Sequence, residues 1–595
     1  MNLTVKRLLA LPLFAAMLTA QTTPPKPAPA PAADIQIEPV PSPEVLRSEA
    51  FVAAQYALIS GAAAAVDRVT ARFASGGGPL AVLEQERDKK LAELEAVDRQ
   101  FSALIERGSS VPEEERRALT QRRAAIRDEV TAIETKIGKD FPQYFDLTRP
   151  KALDIAQVQK LLNPDEAMVM ILVSDDASYT WAITREKATW SRSEAMKESA
   201  LAEKVAALRA SMEVDGARGS ARQPPPAAAA AAAAPAGKVF DRKLAHEIYK
   251  ELIAPVEPVL QGKQVVLTNV TGALTSLPLA LLVTAPPQGS DNDPSAVATS
   301  PWLIDKYALA ELPSVSSLRA LRCLLIANPA EAHPGCDVKA AATSYAQART
   351  GSYALAAYGA PTLLGQYTAA TGRSVTPDLA GQMYKGKLAD TEKLRALAYL
   401  PQAKAELESL GKTFGGKAEV VLGDAATETA VKASKSIPGA RFVVFSTHGL
   451  LATEVGDNAE PGLVFTPPKT ATAQDDGLLT ASEVAELKMT ADLVALSACN
   501  TAASSGKSGA EGLSGLARAF FFAGARSLLV SHWAVSDAAT SLLMQQTFDN
   551  IQNGDIAGRA RALQSAMKTV RNEGTGQFVS PKYWAAFTLV GEPGK

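Results

Sequence analysis

The chain has 595 residues, 47% of them hydrophobic, and its 61 lysines and arginines against 63 aspartates and glutamates leave a formal charge of -2. This length predicts two or three domains with ample apolar material for a core, and the absence of a strongly basic segment argues against a nucleic acid partner. Cys323, Cys336 and Cys499 are too few and too scattered to predict a disulfide framework or a zinc site. The four histidines lack metal-ligand spacing, so we expect neither a metal nor another cofactor.

The N-terminal residues have the features of a secretory signal. Lys6 and Arg7 precede the apolar run 8–20, and Ala20 supplies a small residue before a cleavage point. The run is too short to span a bilayer comfortably. We therefore predict a signal peptide at residues 1–20, cleaved after Ala20, and a periplasmic or secreted protein with no membrane span once the signal is removed. An uncleaved anchor is the alternative.

A proline- and alanine-rich segment, residues 21–44, predicts an extended linker. The pattern from 45 to 163 is helical, with apolar residues recurring every three or four positions along 80–104 and again along 119–137. These two stretches predict a helical hairpin. Its many charges indicate a solvated face, and the alternative is a platform for a protein partner on the helical region 45–137.

Beyond residue 150 strands and helices alternate in the manner of βα units. Strands are predicted at 167–173, 179–184, 187–191, 264–269, 320–327, 419–422, 441–448, 492–499, 526–533 and 583–590. Two irregular stretches, 215–237 and 328–395, are interpreted as insertions, and a lid is the alternative for 328–395. Unbroken runs of valine, leucine and phenylalanine are typical of parallel strands buried on both faces, so we predict an α/β fold.

Two of the predicted strands end in reactive side chains, His448 and Cys499. In an open α/β sheet the ligand crevice lies beyond the carboxyl ends of the strands. If these strands are neighbours, about 5 Å apart, the imidazole and the sulfur can meet, and a base beside a thiol activates a cysteine nucleophile. Gly449 is a candidate for stabilising an oxyanion through its amide. The alternative for Cys499 is an inert core residue.

Further side chains near strand ends are secondary candidates. His532 is either a second base or, as we favour, a structural histidine beside Trp533. Asp537 fits a helix N-cap, or else the acidic wall of a pocket that recognises a basic substrate side chain. Trp533 is another pocket candidate. The residues that compete with Asp537 for the acidic wall are Asp457, Asp475 and Asp476.

A phosphate-binding loop is a further alternative, because Gly506-Lys507-Ser508 follows a predicted strand and precedes a predicted helix. However, Thr501 stands where such a loop has its first glycine, and no strand elsewhere ends in an evident magnesium-binding aspartate. We therefore do not favour a nucleotide site.

Several spaced motifs together resemble a CHAT domain. In order they are Ser446-Thr-His448-Gly449, Asp476-Gly477-Leu-Leu-Thr480, Ala491-Asp492-Leu-Val-Ala-Leu-Ser-Ala-Cys499-Asn-Thr501, Gly512-Leu-Ser-Gly-Leu-Ala-Arg-Ala-Phe520, Ala523-Gly524-Ala525, Trp533-Ala-Val-Ser-Asp537-Ala-Ala-Thr540 and Tyr583-Trp-Ala-Ala-Phe587. The resemblance covers roughly 164–595, and the helical stretch 45–163 resembles the segment that commonly precedes this domain. It implies a caspase-like sheet of mostly parallel strands flanked by helices.

The same resemblance implies a clan of cysteine peptidases, related to caspases and separase, that use a His–Cys dyad. On this chain it implies His448 as general base, Cys499 as nucleophile, and the Gly449 and Cys499 amides as the oxyanion hole. His532 departs from the family pattern, in which an apolar residue precedes the tryptophan. We therefore predict a cysteine endopeptidase that cleaves a protein or peptide through an acyl-enzyme. The alternative is a non-catalytic interaction scaffold with the same fold.

Overall fold

The computed structural model describes residues 42–57, isolated positions between 83 and 100, and the ranges 113–140, 152–212, 240–324, 333–336, 353–365, 384–385, 388–450, 461–498, 501, 515–533, 535–554, 556–572 and 576–594. The predicted signal peptide, most of the linker, the insertion 215–237 and the Gly506-Lys507-Ser508 motif lie outside the described residues. Cys499 and Asp457 also lie outside them.

The strands are β1 (Glu166–Val173), β2 (Ser178–Thr184), β3 (Ala188–Ser193), β4 (Val265–Val270), β5 (Ala308–Glu311), β6 (Leu355–Pro361), β7 (Tyr384–Lys385), β8 (Leu388–Ala389), β9 (Ala418–Gly423), β10 (Phe442–Ser446), β11 (Gly449–Leu450), β12 (Gly462–Val464), β13 (Leu478–Thr480), β14 (Leu493–Ser497), β15 (Ser527–Ser531) and β16 (Phe587–Gly591). Eleven of them form one sheet in the order β3-β2-β1-β4-β5-β16-β15-β14-β10-β6-β9. Parallel pairing prevails, and the antiparallel pairs are β3–β2, β2–β1 and β16–β15. The predicted α/β class is therefore confirmed.

Helices flank this sheet. Their bounds are Pro43–Ala57, Glu113–Asp140, Ile155–Leu161, Glu198–Ala210, Arg242–Leu252, Pro294–Ala298, Leu303–Lys306, Ser317–Arg319, Thr391–Arg395, Pro401–Phe414, Glu428–Lys432, Ala481–Glu486, Gly515–Ala523, Asp537–Asn553, Arg559–Asn572 and Pro581–Trp584.

The central strand β10 is buried on both faces, as its unbroken apolar sequence predicts. On one face the Phe442 ring packs against Phe414 and Phe548, with centroids 5.5 and 5.8 Å apart. Phe445 points the other way, because side chains alternate along a strand, and its ring lies 5.4 Å from that of Phe520. Helices from three parts of the chain thus cover both faces of the strand that leads to His448.

The described part of the apolar run 320–327, residues 320–324, is not a strand, contrary to the prediction. Ser317–Arg319 is helical and continues into a π-helix at Ala320–Leu324. A short apolar run does not distinguish a buried strand from a buried helix. Here the turn directs the Arg322 guanidinium between two buried carboxylates, at 2.7 Å from Glu166 and 3.1 Å from Glu592, and those ion pairs favour the helical path.

The interpretation of 328–395 as an insertion is wrong for its middle part, because β6 lies inside the sheet between β10 and β9. Alanine and glycine dominate β6, and such residues carry a weak strand signal. Packing requires the small residues: a Cβ built on Gly359 would lie 2.1 Å from the carbonyl oxygen of Ser446 in β10. β6 therefore belongs to the sheet because of its neighbours.

Three cysteines did not predict a disulfide framework, yet Cys323 and Cys336 form a bridge, with their Cα atoms 5.6 Å apart. It closes a loop of sequence separation 13 next to the Arg322 ion pairs. Spacing alone did not predict this pairing, since it depends on how the π-helix brings Cys323 against the segment 333–336.

The helical character of the N-terminal region is confirmed where it is described. The helix Pro43–Ala57 places Phe51 6.2 Å from the Trp181 ring of β2. The helix Glu113–Asp140 buries Ile126 and Val130 against Val97, which is how a helical hairpin would pack. No helix in the described part of the chain is both long and apolar enough to cross a membrane.

Candidate active site

The two strands that carry the predicted dyad are direct neighbours in the sheet. β10 and β14 pair in parallel with Ser446 opposite Ser497. His448 follows Ser446 by two residues, and Cys499 follows Ser497 by two residues. Both strands therefore end at the same edge of the sheet, and His448 and Cys499 follow their strands at the same sequence distance.

The His448 imidazole makes a hydrogen bond to the backbone of a neighbouring segment. The ring is buried, with Nε2 2.8 Å from the carbonyl oxygen of Ala398. Because a carbonyl only accepts, Nε2 carries the proton, and a neutral ring then has its acceptor lone pair on Nδ1. Ala398 is itself fixed by the flanking backbone, since the Tyr399 amide donates to the Gly365 carbonyl and the Gly365 amide donates to the Leu397 carbonyl, both at 2.9 Å. No sequence motif points to Ala398, because its role depends on its backbone carbonyl and not on its side chain.

Gly449 opens the two-residue strand β11, which pairs antiparallel with β12, Gly449 opposite Leu463. The Val464 amide donates to the His448 carbonyl at 3.0 Å. Hydrogen-bonded and non-hydrogen-bonded pairs alternate along an antiparallel ladder. Gly449 thus occupies a non-hydrogen-bonded position, and its N–H is directed away from β12. This orientation is compatible with donation to a bound oxyanion.

Ser531, at the end of β15, contacts the chain on both sides of Cys499. Its hydroxyl donates to the Ala498 carbonyl at 2.6 Å, and its amide donates to the Thr501 hydroxyl at 2.8 Å. The Thr501 amide is 3.3 Å from the same Ser531 hydroxyl oxygen. Ser531 was not among the predicted site residues, although a serine at the end of an apolar strand is a recognisable signal.

His532 has a buried environment that suits a structural residue. Burial, together with the Arg209 cation, lowers the pKa of His532 to about 3, so the ring is neutral at physiological pH. Its Nε2 lies 2.9 Å from the Thr588 hydroxyl, whereas Nδ1 has no hydrogen-bond partner among the described residues. The ring is 6.3 Å from that of Trp533, inclined at 45°.

Trp533 and Asp537 are both buried against neighbouring elements. The Trp533 indole N–H donates to the Lys582 carbonyl at 2.9 Å. Asp537 is the first residue of its helix and Ser536 is the N-cap, so the N-cap interpretation of Asp537 is corrected. Its carboxylate instead accepts the Gln402 amide at 2.8 Å, in the first turn of the helix Pro401–Phe414. It therefore stabilises the N-terminus of a neighbouring helix.

Asp476 is half-buried and joins two backbone segments. Its carboxylate accepts from the amides of Ala389 at 2.7 Å and Leu478 at 3.1 Å, and burial raises its pKa. The Glu428 carboxylate binds the amides of Asp476 and Gly477, and burial raises the pKa of Glu428 to about 7. These carboxylates hold the turn before β13. Asp475, the other described competitor, accepts from the Thr429 hydroxyl at 2.6 Å.

The protein is therefore of the mixed α/β class, and a histidine and a cysteine follow the adjacent parallel strands β10 and β14. The CHAT domain model matches residues 242–592, and the chain belongs to this family. The family predicted from the spaced motifs is therefore confirmed.

Three similar proteins illustrate the breadth of this similarity. Tetratricopeptide repeat protein 28 of Mus musculus is 27% identical over 380 residues, which cover 58% of this chain and 13% of that protein. The chain thus matches only a small part of this curated relative. The crystal structure of the Saccharomyces cerevisiae separase–securin complex has 8% identity and a TM-score of 0.40, covering 74% of this chain and 31% of that one. The complex of Porphyromonas gingivalis RgpB pro- and mature domains has 9% identity and a TM-score of 0.30, covering 59% and 68%.

Proposed function

We propose that this chain is a cysteine endopeptidase in which Cys499 is the nucleophile and His448 the general base. The observation that carries the proposal is the register of β10 and β14, in which Ser446 faces Ser497 and each precedes one of the two residues by two positions. Neighbouring strands lie about 4.8 Å apart, a separation that an imidazole and a thiol can bridge. Membership of the CHAT domain family supports the same assignment.

The hydrogen bond between His448 and Ala398 supports one direction of proton transfer. With Nε2–H donated to Ala398, Nδ1 accepts the Cys499 proton. The thiolate attacks the peptide carbonyl carbon, a sulfur–carbon bond forms, and the carbonyl π electrons move to oxygen, where the Gly449 amide donates. His448 then protonates the departing nitrogen as the carbon–nitrogen bond breaks. Water, deprotonated by His448, hydrolyses the thioester and releases the thiol.

We also propose that the protein acts outside the cytoplasm, as a periplasmic or secreted enzyme. The Cys323–Cys336 bridge supports this location, because disulfides persist mainly in oxidising compartments. Because the bridge uses two of the three cysteines of the chain, Cys499 is the remaining one.

Alkylation of the oxidised protein with iodoacetamide tests the dyad, because labelling then reports on Cys499. We expect His448→Ala to slow labelling at pH 7 at least about tenfold, since loss of the base removes thiolate, and Cys499→Ala to abolish both labelling and peptide cleavage. His246→Ala is the matched control. This histidine lies on the helix Arg242–Leu252, which packs against β3 at one edge of the sheet, away from β10 and β14. Equal labelling of the wild type and His448→Ala would refute the dyad.

The rival function is a non-catalytic scaffold that binds a protein partner through the helical region. The packing of Val97 against Ile126 and Val130 gives this region a small core of its own, which favours a separate binding role. Retention of the full cellular phenotype by Cys499→Ala would support the scaffold and contradict the peptidase.

A further inference from the structure

Ser531 is hydrogen-bonded to the residues that precede and follow the Cys499-Asn500 pair in the chain. Its side chain has no solvent exposure, its hydroxyl binds the Ala498 carbonyl at 2.6 Å, and its amide binds the Thr501 hydroxyl at 2.8 Å. Ala498 immediately precedes Cys499, and Thr501 follows it by two residues. One residue of β15 therefore holds the chain at both ends of this short segment.

Chain geometry explains why such anchoring matters. Consecutive Cα atoms are about 3.8 Å apart, so fixing Ala498 and Thr501 restricts the positions open to the two residues between them. A base activates a thiol only within hydrogen-bond reach, and a small displacement of the backbone removes that contact. We propose that Ser531 is a positioning residue that holds the Cys499 thiol opposite His448. This inference rests on the proposed peptidase function.

The chain contains a matched control on the same strand. Ser527, at the start of β15, also has a fully buried hydroxyl, and it donates to the Asp492 carbonyl beside the start of β14. Ser527 and Ser531 thus make the same kind of bond between the same two strands. They differ in distance from the nucleophile, because Asp492 lies seven residues before Cys499 whereas Ala498 is adjacent to it.

The experiment compares the wild type with Ser531→Ala, Ser527→Ala, Thr501→Val and His448→Ala. Iodoacetamide alkylation of the oxidised protein is followed from pH 5 to 10, and the midpoint of the rate profile gives the apparent pKa of the Cys499 thiol. Thermal unfolding of each variant measures the structural cost separately. Thr501→Val keeps the side-chain volume and removes the hydroxyl that accepts the Ser531 amide, so the test does not depend on the folding of Ser531→Ala.

We expect Ser531→Ala and Thr501→Val to move the midpoint upward by about one pH unit, toward the value of about 8.5 for a free cysteine, and to slow labelling at pH 7 about tenfold. Ser527→Ala should lower the melting temperature as much as Ser531→Ala and leave the midpoint unchanged. Unchanged midpoints in both Ser531→Ala and Thr501→Val, with a shifted midpoint in His448→Ala, would overturn the positioning role and leave the dyad intact. An unshifted midpoint in His448→Ala would overturn the dyad, and the role of Ser531 with it.

Discussion

The burial of Glu311, at the end of β5, should make the free energy of unfolding depend strongly on pH. Glu311 lines a cavity of about 30 Å³ whose other described lining residues are neutral and mostly apolar, with leucine the most frequent. Burial is the cause that raises its pKa from 4.5 to about 8. The folded protein therefore binds a proton on Glu311 that the unfolded chain releases at neutral pH.

The sign and size of the effect follow from these two pKa values. Below about pH 4.5 the group is protonated in both states, and burial then costs least. Between the unfolded value and the folded value of about 8, each pH unit removes about 1.4 kcal/mol of stability, to an upper limit of about 5 kcal/mol. The residue keeps partial contact with solvent, which reduces the loss below that limit.

Urea unfolding of Glu311→Gln and the wild type at pH 5, 6, 7, 8 and 9 measures this loss. The neutral amide has no charge to bury, so the stability of Glu311→Gln relative to the wild type should rise by up to about 3 to 4 kcal/mol between pH 5 and pH 8. Glu203→Gln, on the exposed face of the helix Glu198–Ala210, is the control and should follow the wild type at every pH. A difference between Glu311→Gln and the wild type that stays constant across the series would refute protonation of Glu311 in the fold.

Three other substitutions test contacts that hold the sheet together. Arg322→Met leaves two buried carboxylates unpaired and should cost about 3 to 5 kcal/mol in urea unfolding at pH 7, whereas a loss below 1 kcal/mol would contradict their pairing. Cys323→Ser opens the disulfide loop and should lower the free energy of unfolding by about 3 kcal/mol relative to the oxidised wild type. The difference should disappear when both proteins are measured in dithiothreitol, which reduces the wild-type bridge. Gly359→Ala introduces a Cβ at 2.1 Å from a β10 carbonyl and should cost about 3 kcal/mol or more, while Gly416→Ala, where a Cβ meets open space, should leave the melting temperature unchanged.

The parts of the sheet that sequence patterns predicted correctly are those with a strong local signal. β10 and β14 are unbroken runs of large apolar residues, and each occurs within a residue or two of its predicted position. β6 was missed because alanine and glycine carry little strand preference, and its place depends on the close approach of Gly359 to β10. Residues 320–324 were misassigned as part of a strand because Glu166 and Glu592, the partners of Arg322, lie far away in sequence.

The same distinction applies to the candidate site. The amino-acid sequence by itself determined the family and nominated His448 and Cys499, because the motifs and the strand ends are local features of the chain. Only the tertiary structure decided that β10 and β14 are neighbours in register, that the Ala398 carbonyl orients the imidazole, and that Ser531 anchors both flanks of the cysteine. These hydrogen bonds join residues that are 30 and 50 positions apart and involve backbone atoms. Every residue has the same backbone groups, so the amino-acid type of a residue does not predict which distant carbonyl or amide it will contact.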